Sequence, residues 1–527
     1  MARYKAYDLK QTKMIALSYA DQLVEGSFEH ALNELVENHL DLRPFEARYA
    51  NDETGRPAYD PRLLLKVVLY GYYKGVLSSR AVAEACRRNV VFMARSADSQ
   101  PHFTTIAAFV SELDREIVGL FRDVLLYASE LGLIGKEHFA VDGCKLPSNE
   151  SKRWSGTHRE LEEKRKKLEQ VAERIVERHR ERDGQEEAGS SAKDAKKVER
   201  HRRKIEQIKA FLARKQKKVG PSGQEQKSNL TDPESAKMTS SRGVLQGYNG
   251  LAVVDEKAQI VVHSEAHGSG YEGHLLAPLL EATRETFQAI EPGRDVFQKV
   301  KVTADSGFHS RVVVAEVERT GADAYIADRD YRRRDPAFAS AGRHKERERK
   351  ERARERAKKA KEAAEPAKPK PFSLQDFFYD EGKALCICPA GHKLYRSGKH
   401  LLFNGYRVAH FKAPITACRG CSLRTRCLRH PERTPQRTVC FIKGREGPRT
   451  ESKNQGAVER MRFKFDTAAG RALYSRRMGT VEPVFGNLQN KGMRRFTLRG
   501  RRKVNAQWQL FTMVHNIEKI ASAARGS

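Results

Sequence analysis

A short apolar strand that ends in an acidic residue occurs twice in this chain, and this feature restricts the fold more than any other. In residues 297–310, apolar and polar residues alternate with the period of a β-strand up to Asp305, where a turn follows. Residues 138–143 repeat the pattern, and their strand is predicted to stop at Asp142. An ionised carboxylate is unfavourable beside apolar residues unless it is solvated, paired or bound to a metal ion. We therefore predict that both aspartates face one site at a sheet edge, although solvated strand ends would show the same pattern.

Net charge is the second constraint. The 527 residues include 99 Lys and Arg against 68 Asp and Glu, which gives a formal charge of +31. This excess disfavours an ordinary metabolic enzyme and favours a polyanionic partner, nucleic acid first, because phosphate neutralisation drives such binding. A nucleic-acid binder without chemistry would have the same composition. The sequence has no apolar run long enough to span a bilayer and no signal-peptide pattern at its start, which predicts a cytoplasmic protein.

Residues 1–130 have the pattern of an all-helical domain. Ser27 is predicted to cap one helix, and Asp60 followed by Pro61 is predicted to open another. One long helix is predicted to begin at Thr104 and to continue through Val124. Several short helices with basic ends suit a helix-turn-helix-like DNA reader, and a plain helical scaffold would show the same spacing.

Residues 131–156 and 227–335 are predicted to form a mixed α/β sheet with helices. In this order of elements, strand ends that are distant in sequence can meet, which would bring Asp142 and Asp305 together. After the Asp142 strand, the predicted elements are an antiparallel hairpin of strands at 243–255 and 259–263, a helix at 274–289, the Asp305 strand, a helix at 311–319 and a strand at 322–327.

Residues 157–226 interrupt this pattern. Apolar residues recur at heptad-like steps on both sides of a polar segment at 183–191, which predicts an antiparallel coiled-coil hairpin. The remaining surface of the hairpin is dense in Arg and Lys, and it is interpreted either as a solvated face or as a contact for DNA or a partner. A charged and Pro-rich segment at 336–372 is interpreted as a linker without chemistry.

A cluster of cysteines lies within residues 373–445. Six of the eight cysteines of the chain fall there, and without a secretion signal this clustering indicates metal binding sooner than disulfides. Structural zinc takes thiolates from two separate segments, and the best set of ligands is Cys388, Cys418, Cys421 and Cys427. Further candidates are Cys386, His392 and His430. Unrelated free thiols are the alternative.

Residues 446–527 contain a third acidic residue on a predicted helix. The helix is predicted to begin near Thr480, with Val481, Phe485 and Leu488 on its apolar face and Glu482 beside that face. A glutamate in a first helical turn is also an ordinary capping residue. The basic residues that follow the helix are predicted to bind DNA phosphates, namely Arg494, Arg495, Arg499, Arg501, Arg502 and Lys503.

Asp142, Asp305 and Glu482 together resemble the catalytic triad of the DDE transposases of bacterial insertion sequences. The local matches are Val-Asp-Gly at the first acid, Ala-Asp-Ser-Gly-Phe at the second, and Tyr-x-x-Arg followed by Glu at the third. The resemblance covers nearly the whole chain and implies an RNase H-like catalytic core, a DNA-binding N-terminal module and a zinc-binding, Cys-rich insertion. It also implies DNA contacts for Tyr474, Arg477 and Lys491, although the spacing of Arg477 and Lys491 from Glu482 departs from that of the family.

The resemblance implies a transposase that binds insertion-sequence ends and performs metal-dependent DNA strand cleavage and strand transfer. Two Mg²⁺ or Mn²⁺ ions held by Asp142, Asp305 and Glu482 would serve the attacking and the leaving oxygen, with Asp142 bridging both ions. The expected partners are double-stranded DNA, as transposon ends and target, and a second copy of the chain on that DNA, which places the protein at the bacterial nucleoid. The alternative is a catalytically inactive, transposase-derived DNA-binding protein.

Overall fold

The computed structural model of the chain describes residues 18–525 with gaps at 49–56, 115, 183–187, 215–216, 221–222, 241–242, 339–352, 354–371, 399–400, 404–405 and 446–454. The predicted linker at 336–372 lies almost entirely outside the described residues. The chain divides into two units: the first comprises the described residues of Met1–Tyr331 and Ala457–Ser527, and the second those of Arg332–Gly456. Both aspartates of the strand-end pattern belong to the first unit.

Helices and strands both contribute to the fold, which is α/β as predicted. The described helices are α1 (Phe28–Glu34), which continues as a π-helical turn (Leu35–His39), α2 (Arg43–Glu46), α3 (Pro61–Tyr73), α4 (Ser79–Arg88), α5 (Val90–Arg95), α6 (Phe103–Glu112), α7 (Ile117–Glu130), α8 (His158–Arg182), α9 (Ala188–Ala213), α10 (Leu276–Ile290), α11 (Arg311–Arg319), α12 (Tyr331–Arg334), α13 (Ile415–Arg419), α14 (Arg424–Cys427), α15 (Gln455–Asp466), α16 (Ala468–Asn490) and α17 (Arg501–Ala524). The described strands are β1 (His138–Pro147), β2 (Ser155–Gly156), β3 (Ser228–Asn229), β4 (Ala236–Ser240), β5 (Gly243–Asp255), β6 (Val261–His267), β7 (Lys301–Ala304), β8 (Asp323–Ile326), β9 (Phe378–Asp380), β10 (Leu385–Ile387), β11 (Lys393–Arg396), β12 (Leu401–Phe403), β13 (Tyr406–Lys412) and β14 (Thr438–Arg445).

The N-terminal part of the first unit is helical, and its two predicted caps are confirmed. Ser27 Oγ accepts a hydrogen bond from the backbone of His30 (3.1 Å), and Asp60 Oδ1 accepts one from the backbone of Arg62 (2.7 Å). Each bond satisfies an amide that has no partner within the first helical turn. These caps fix where α1 and α3 begin.

The single long helix predicted from Thr104 to Val124 is wrong. The structure has two helices there, α6 ending at Glu112 and α7 beginning at Ile117, and one residue of the segment between them lies outside the described residues. Leu113 and Ile117 are both buried, so the apolar spacing persists across the break. Spacing alone therefore does not distinguish one helix from two that share the same core.

One mixed sheet positions the two aspartates. Its strand order is β4-β5-β1-β7-β8, with β6 paired to β5. The strands β1, β7 and β8 run parallel to one another, whereas β5 is antiparallel to β1, β4 and β6. The predicted hairpin of β5 and β6, the helices α10 and α11 and the strand β8 are all confirmed.

The strand β1 does not stop at Asp142, contrary to the prediction. It pairs with β7 up to Val141, opposite Ala304, but it continues along β5 as far as Pro147, opposite Gly247. The length of a strand depends on its longest partner, and the local sequence of β1 does not reveal how long β5 is. Asp142 therefore marks the point where the parallel partner ends, not the end of the strand.

The helices α8 and α9 form an antiparallel pair in the predicted insertion. Leu161 near the start of α8 packs with Ile208 and Phe211 near the end of α9. Ile175 and Ile205 are also buried, as expected for residues of a seam. The coiled-coil hairpin itself stays a prediction, because part of the segment that would join the helices lies outside the described residues. In the described part of the chain, no helix is both long and apolar enough to cross a membrane.

The helix α16 begins at Ala468, well before its predicted start near Thr480. Thr467 caps it, with Oγ1 accepting from the backbone of Gly470 (2.9 Å). The prediction was wrong because the first turns of α16 contain few large apolar residues and lack the periodic signal. Pro483 lies inside the helix and cannot donate to the carbonyl of Gly479, and Gln259 Nε2 donates to that carbonyl instead (3.0 Å). This bond attaches α16 to the turn between β5 and β6.

The helix α17 covers the sheet beside β6. Trp508 is fully buried and its Nε1 donates to the carbonyl of Leu251 (2.8 Å). Asn516 accepts from the amide of Val261 and donates to its carbonyl, both at 2.8 Å. Because β6 is an edge strand, these contacts satisfy backbone groups that would otherwise lack partners.

The second unit contains a separate antiparallel sheet. Its strand order is β12-β13-β11-β10-β9, with β14 paired to β13. A small core lies between these strands and includes Phe377, Cys386, Leu394, Phe411 and Val439. The short helices α13 and α14 carry cysteines of the predicted zinc site.

Candidate active site

Asp142 and Asp305 lie side by side at one edge of the mixed sheet. Each directly follows a residue of the last parallel pair, Val141 opposite Ala304. The side chain of Asp142 is 19% exposed and that of Asp305 is 44% exposed. The topology thus brings together the two acids that the strand-end pattern singled out.

Arg477 of α16 binds both carboxylates. Its Nη1 donates to Asp142 Oδ2 at 2.6 Å, and its Nη2 lies 3.5 Å from Asp305 Oδ1. Tyr474, almost one helical turn earlier, donates to Asp305 Oδ1 at 3.5 Å, and its ring lies 5.6 Å from the Arg477 guanidinium carbon. The guanidinium is nearly buried, so one cation compensates two carboxylates in a place that water barely reaches.

Burial raises the pKa of Asp142 above its ordinary value. The charge of Arg477 and the backbone amide of Gly143, which donates to Asp142 Oδ1 at 2.7 Å, lower this pKa, and the charge of Asp305 raises it. Arg477 therefore stabilises the ionised form of Asp142, which burial destabilises. A partly buried carboxylate of this kind favours a cation beside it.

A third carboxylate, Glu272, borders the pair. A side-chain carbon built on Gly307 would lie 3.8 Å from both Asp305 Oδ2 and Glu272 Oε2, so the two oxygens face the same small space. Burial raises the pKa of Glu272, the Lys145 ammonium at 3.4 Å lowers it, and the charge of Asp142 raises it. Sequence reasoning missed this residue. Glu272 lies in the segment between β6 and α10, and no periodic pattern in the sequence distinguishes it.

The structure does not bring Glu482 into this group. Glu482 is exposed on α16, five residues after Arg477, which corresponds to about 140° around the helix. Val481 and Val484 are buried, so the side of the helix that carries Arg477 faces the sheet and Glu482 lies away from it. Among the described residues, no group of three or more His, Cys, Asp or Glu side chains could hold a metal ion.

The predicted DNA-binding residues occupy different environments. Lys491 is buried, with its Nζ 2.9 Å from Glu518 Oε1 and 4.2 Å from the centre of the Tyr73 ring. Arg502 lies 2.8 Å from Asp114, and Arg499 pairs with Glu150. The predicted DNA-binding residues that are exposed are Arg494, Arg495, Arg499, Arg501, Arg502 and Lys503. The DNA contacts of Tyr474, Arg477 and Lys491 stay predictions, and in this structure all three side chains contact protein groups.

Four cysteines of the second unit line one small cavity, together with His392. They are Cys388, Cys418, Cys421 and Cys427. Burial raises the pKa of the Cys427 thiol, the charge of Arg437 lowers it, and the charges of Cys418, Cys388 and Cys421 raise it. Cys386 instead belongs to the core of the sheet, and His430 is exposed and does not line the cavity.

Two arginines hold the cysteine-bearing turns in place. Arg424 donates to the carbonyls of Cys418 (2.7 Å), Pro431 (2.7 Å) and Thr434 (2.8 Å). Arg437 Nη1 donates to the carbonyl of Cys427 (3.0 Å). The cavity is therefore built on fixed backbone, although its thiols are not arranged as a metal site in the described residues.

Two regions of the chain match known protein families. Residues 387–521 match the family described as Transposase DDE domain, and residues 18–112 match the one described as Transposase domain (DUF772). Both matched regions are therefore transposase domains, and the one at 387–521 is of the DDE type. Comparison with curated proteins and with solved structures gave no significant match.

The two matches cover different parts of the chain. The first spans the cysteine cavity, Glu482 and most of α17, and the second spans α1 to α6. Asp142 and Asp305 lie outside both matched ranges. Their selection as site residues therefore depends on the strand pattern and on the geometry of the sheet edge.

The transposase family implies a divalent metal ion for catalysis. Carboxylate oxygens are the protein ligands that Mg²⁺ prefers, and one or two carboxylates per ion are usual. Asp142 and Asp305 are ligands of this type, since both are carboxylates and both already contact the same cation, Arg477. The acid pair thus has the chemistry of a magnesium site, while Arg477 occupies the position between the carboxylates.

Proposed function

We propose that the transposase binds the ends of an insertion sequence, cleaves DNA there in a metal-dependent reaction and transfers the strand to a target. The observation that supports this most is the meeting of Asp142 and Asp305 around Arg477 at one edge of the mixed sheet. A carboxylate pair at the point where the parallel pairing of β1 and β7 ends has no role in the packing of the sheet, and its burial raises the pKa of Asp142 at a cost to stability. The sheet is RNase H-like in this proposal.

Asp142, Asp305 and Glu482 are the catalytic residues of the proposal, and they would hold two Mg²⁺ or Mn²⁺ ions. The bound metal supplies Lewis acidity to the attacking and the leaving oxygen of the phosphodiester. Glu482 must approach the pair when DNA is bound, and Glu272 supplies a fourth carboxylate at the rim. Water attacks phosphorus first and loses its proton, and the 3′-oxygen of the DNA leaves and is protonated. The released 3′-hydroxyl then attacks a phosphodiester of the target strand, loses its proton, and displaces the target 3′-oxygen, which leaves as a hydroxyl.

Arg477 acts as a positioning residue in this scheme. It holds both aspartates at the sheet edge before DNA binds, and Tyr474 fixes the orientation of Asp305. Its guanidinium suits a phosphate oxygen as well as a carboxylate, since both accept paired hydrogen bonds. The helical N-terminal module reads the terminal sequence, and the exposed residues from Arg494 to Lys503 bind backbone phosphates of the same DNA, bound by two copies of the chain.

A structural zinc ion at Cys388, Cys418, Cys421 and Cys427 completes the proposal. The shared cavity and the fixed turns around it support this assignment. Metal analysis of purified protein should find about one zinc ion per chain, the content of a single structural site. Cys440, exposed on β14, is a matched control: Cys440→Ser should keep the zinc, and Cys418→Ser should lose it. Zinc-free protein of full thermal stability would contradict the assignment.

An inactive, transposase-derived DNA-binding protein is the second candidate function. The observation that favours it is the separation of Glu482 from the two aspartates, with Arg477 between the carboxylates. Such a protein would bind transposon ends without cutting them.

Cleavage of a supercoiled plasmid that carries the ends of the element tests both candidates. The proposal predicts nicked and linear products with Mg²⁺ or Mn²⁺ and none with EDTA. Asp142→Asn and Asp305→Asn should each abolish the products and leave binding to the same ends within about twofold, because the shape of the side chain is kept. End binding without cleavage by wild-type protein under all metal conditions would establish the second candidate instead.

A further inference from the structure

A basic cleft lies where the α8–α9 pair meets the turn after β1. Its volume is about 460 Å³, within the range of ligand sites, and no carboxylate is among the described residues that line it. Four cations line it: Arg153, Arg200, Arg203 and Lys204. We call this feature the hairpin cleft. It is separate from the acids at the sheet edge.

Trp154 forms an aromatic wall of the hairpin cleft and holds two of these cations. Lys204 Nζ lies 4.6 Å from the ring centre, and the Arg153 guanidinium carbon lies 5.6 Å from it. Both distances are within the range of cation–π attraction. The turn itself is fixed, because Lys164 Nζ donates to the carbonyls of Arg153 (2.9 Å) and Ser155 (2.8 Å). The cations are thus positioned before any ligand arrives.

The positive charge of the hairpin cleft exceeds the negative charge around it. Burial lowers the pKa of Lys204, the charge of Glu150 raises it, and the charge of Arg499 lowers it. Burial also lowers the pKa of His201, and the charges of Arg200, Lys197 and Arg153 lower it further. The Nε2 atom of His201 is buried and has no hydrogen-bond partner among the described residues. Among the carboxylates near the lining, Glu199 Oε1 lies 2.9 Å from Arg203 Nε in a pair that is more than half exposed, and Glu150 is paired with Arg499. Charges of one sign at this density are stabilised by a bound anion.

The shape of the charged surface favours a long anion over a small one. Arg499 connects the hairpin cleft to the basic residues from Arg494 to Lys503, since it pairs with Glu150 and donates to the carbonyl of Asn149 at 3.4 Å. The amide of Phe496 bonds the carbonyl of Pro147 (2.9 Å), which keeps this segment beside the end of β1. A free phosphate would contact only one part of this surface, which extends from the hairpin cleft to the basic residues at 494–503.

We propose that the hairpin cleft binds the phosphodiester backbone of double-stranded DNA. Arg200, Arg203 and Lys204 contact phosphates without reading bases, and Trp154 keeps Lys204 and Arg153 in place. This site lies outside the catalytic acids and does not require the cleavage proposed above. It assigns a DNA contact to the α8–α9 pair, whose charged surface could otherwise be only solvated.

Intrinsic fluorescence offers a direct probe. The chain has two tryptophans, Trp154 in the hairpin cleft and Trp508 fully buried in the core. Titration of full-length protein with a random-sequence duplex should change the fluorescence saturably, and Trp154→Phe should remove this change, while anisotropy of a labelled duplex measures binding independently of tryptophan. The Asp142→Asn protein should give the wild-type signal, which separates this test from that of cleavage.

Charge-matched variants test the role of the cations in binding phosphates. Arg200→Ala, Arg203→Ala and Lys204→Ala together should weaken duplex binding at least tenfold and reduce the salt slope by roughly 0.9 for each phosphate that the variant no longer neutralises. The control removes three exposed cations of α8 that lie outside the cleft: Lys166→Ala, Lys167→Ala and Arg174→Ala. It should change the affinity for the duplex less than threefold. Circular dichroism of both triple variants confirms that they are folded.

Three outcomes would overturn the proposal. The first is an equal loss of affinity in both triple variants, which would indicate net charge alone. The second is a Trp154 signal that inorganic phosphate produces at millimolar concentration and duplex DNA does not, which would indicate a small-anion site. The third is a signal specific to duplex RNA.

Discussion

The sheet edge that carries Asp142 and Asp305 differs from the hairpin cleft in how its charges are compensated. At the sheet edge, Asp142 and Asp305 share the buried guanidinium of Arg477, and the charges compensate one another within the protein. In the hairpin cleft, cations lie beside one another around Trp154. Burial lowers the pKa of Lys204 and of His201, and the charges of Arg200, Lys197 and Arg153 lower that of His201 further. The charges of the first region are compensated within the protein, whereas the cations that line the second outnumber the carboxylates paired with them.

This difference indicates how the two regions work. A balanced site must exchange one partner before it can act, so the aspartates become available to a metal ion only when Arg477 moves or shares them. An unbalanced site binds its ligand without such an exchange. We therefore expect DNA binding at the hairpin cleft to precede chemistry at the sheet edge.

The largest expected effect concerns the third acid of the sheet edge. Glu482→Gln should lower the cleavage rate about 10³-fold, since loss of a metal ligand removes several kcal/mol of transition-state stabilisation. Glu272→Gln should lower it only about tenfold, as expected for a carboxylate at the rim. The measurement is single-turnover cleavage of the plasmid that carries the element ends. The reverse order of effects would make Glu272 the third acid and leave Glu482 as an exposed helix residue.

The second effect is on stability and tests the internal balance directly. Arg477→Gln should lower the free energy of unfolding by about 3 kcal/mol, because it leaves the nearly buried carboxylate of Asp142 without its cation. The neighbouring Arg476→Gln is the matched control, since Arg476 is half exposed and pairs with Glu256, and it should cost about 0–1 kcal/mol. Urea unfolding measures both.

The same variant has a predicted pH dependence. The folded-state pKa of Asp142 is raised, and loss of Arg477 raises it further, so the folded state of the variant retains this proton to higher pH than the unfolded state. The stability deficit of Arg477→Gln should therefore grow as pH rises through the folded pKa of Asp142 and shrink at lower pH. The double variant Asp142→Asn, Arg477→Gln should recover most of the loss. Equal deficits at all pH values would show that Asp142 is not the uncompensated group.

The smallest expected effect concerns the aromatic wall of the hairpin cleft. Trp154→Ala should weaken duplex binding about two- to fivefold, which corresponds to roughly 0.5–1 kcal/mol for the weaker positioning of Lys204 and Arg153. Trp154→Phe should retain most of the affinity, because an aromatic face remains. Fluorescence anisotropy of a labelled duplex measures both. An alanine variant of wild-type affinity would show that the cations need no aromatic support.

Local patterns predicted those parts of the fold that depend on neighbouring residues. The caps Ser27 and Asp60, the β5–β6 hairpin and the helix α11 each have turn or capping residues next to a periodic segment, and all are confirmed. The α/β class followed from the order of such elements. The aspartates were found in the same way, because an acid at the end of an apolar run stands out in the sequence.

Features that depend on distant partners were not predicted. The continuation of β1 past Asp142 depends on the length of β5, and the separation of α6 from α7 leaves the apolar spacing unchanged. The early start of α16 has no apolar signal, although Thr467 could have been recognised as a cap. The role of Arg477 required the packing of α16 against the sheet, and Glu272 required the approach of its loop to Gly307.

Binding of Mn²⁺ tests the central claim, that Asp142 and Asp305 form the metal site of the transposase, most directly. Electron paramagnetic resonance of free Mn²⁺ measures the affinity of full-length protein bound to duplex DNA, without any need for cleavage. We predict that Asp142→Asn and Asp305→Asn each weaken Mn²⁺ binding at least tenfold, which is about 1.4 kcal/mol, while Asp323→Asn, an exchange in the neighbouring strand β8, leaves it unchanged. Wild-type Mn²⁺ affinity in both site variants would contradict the claim.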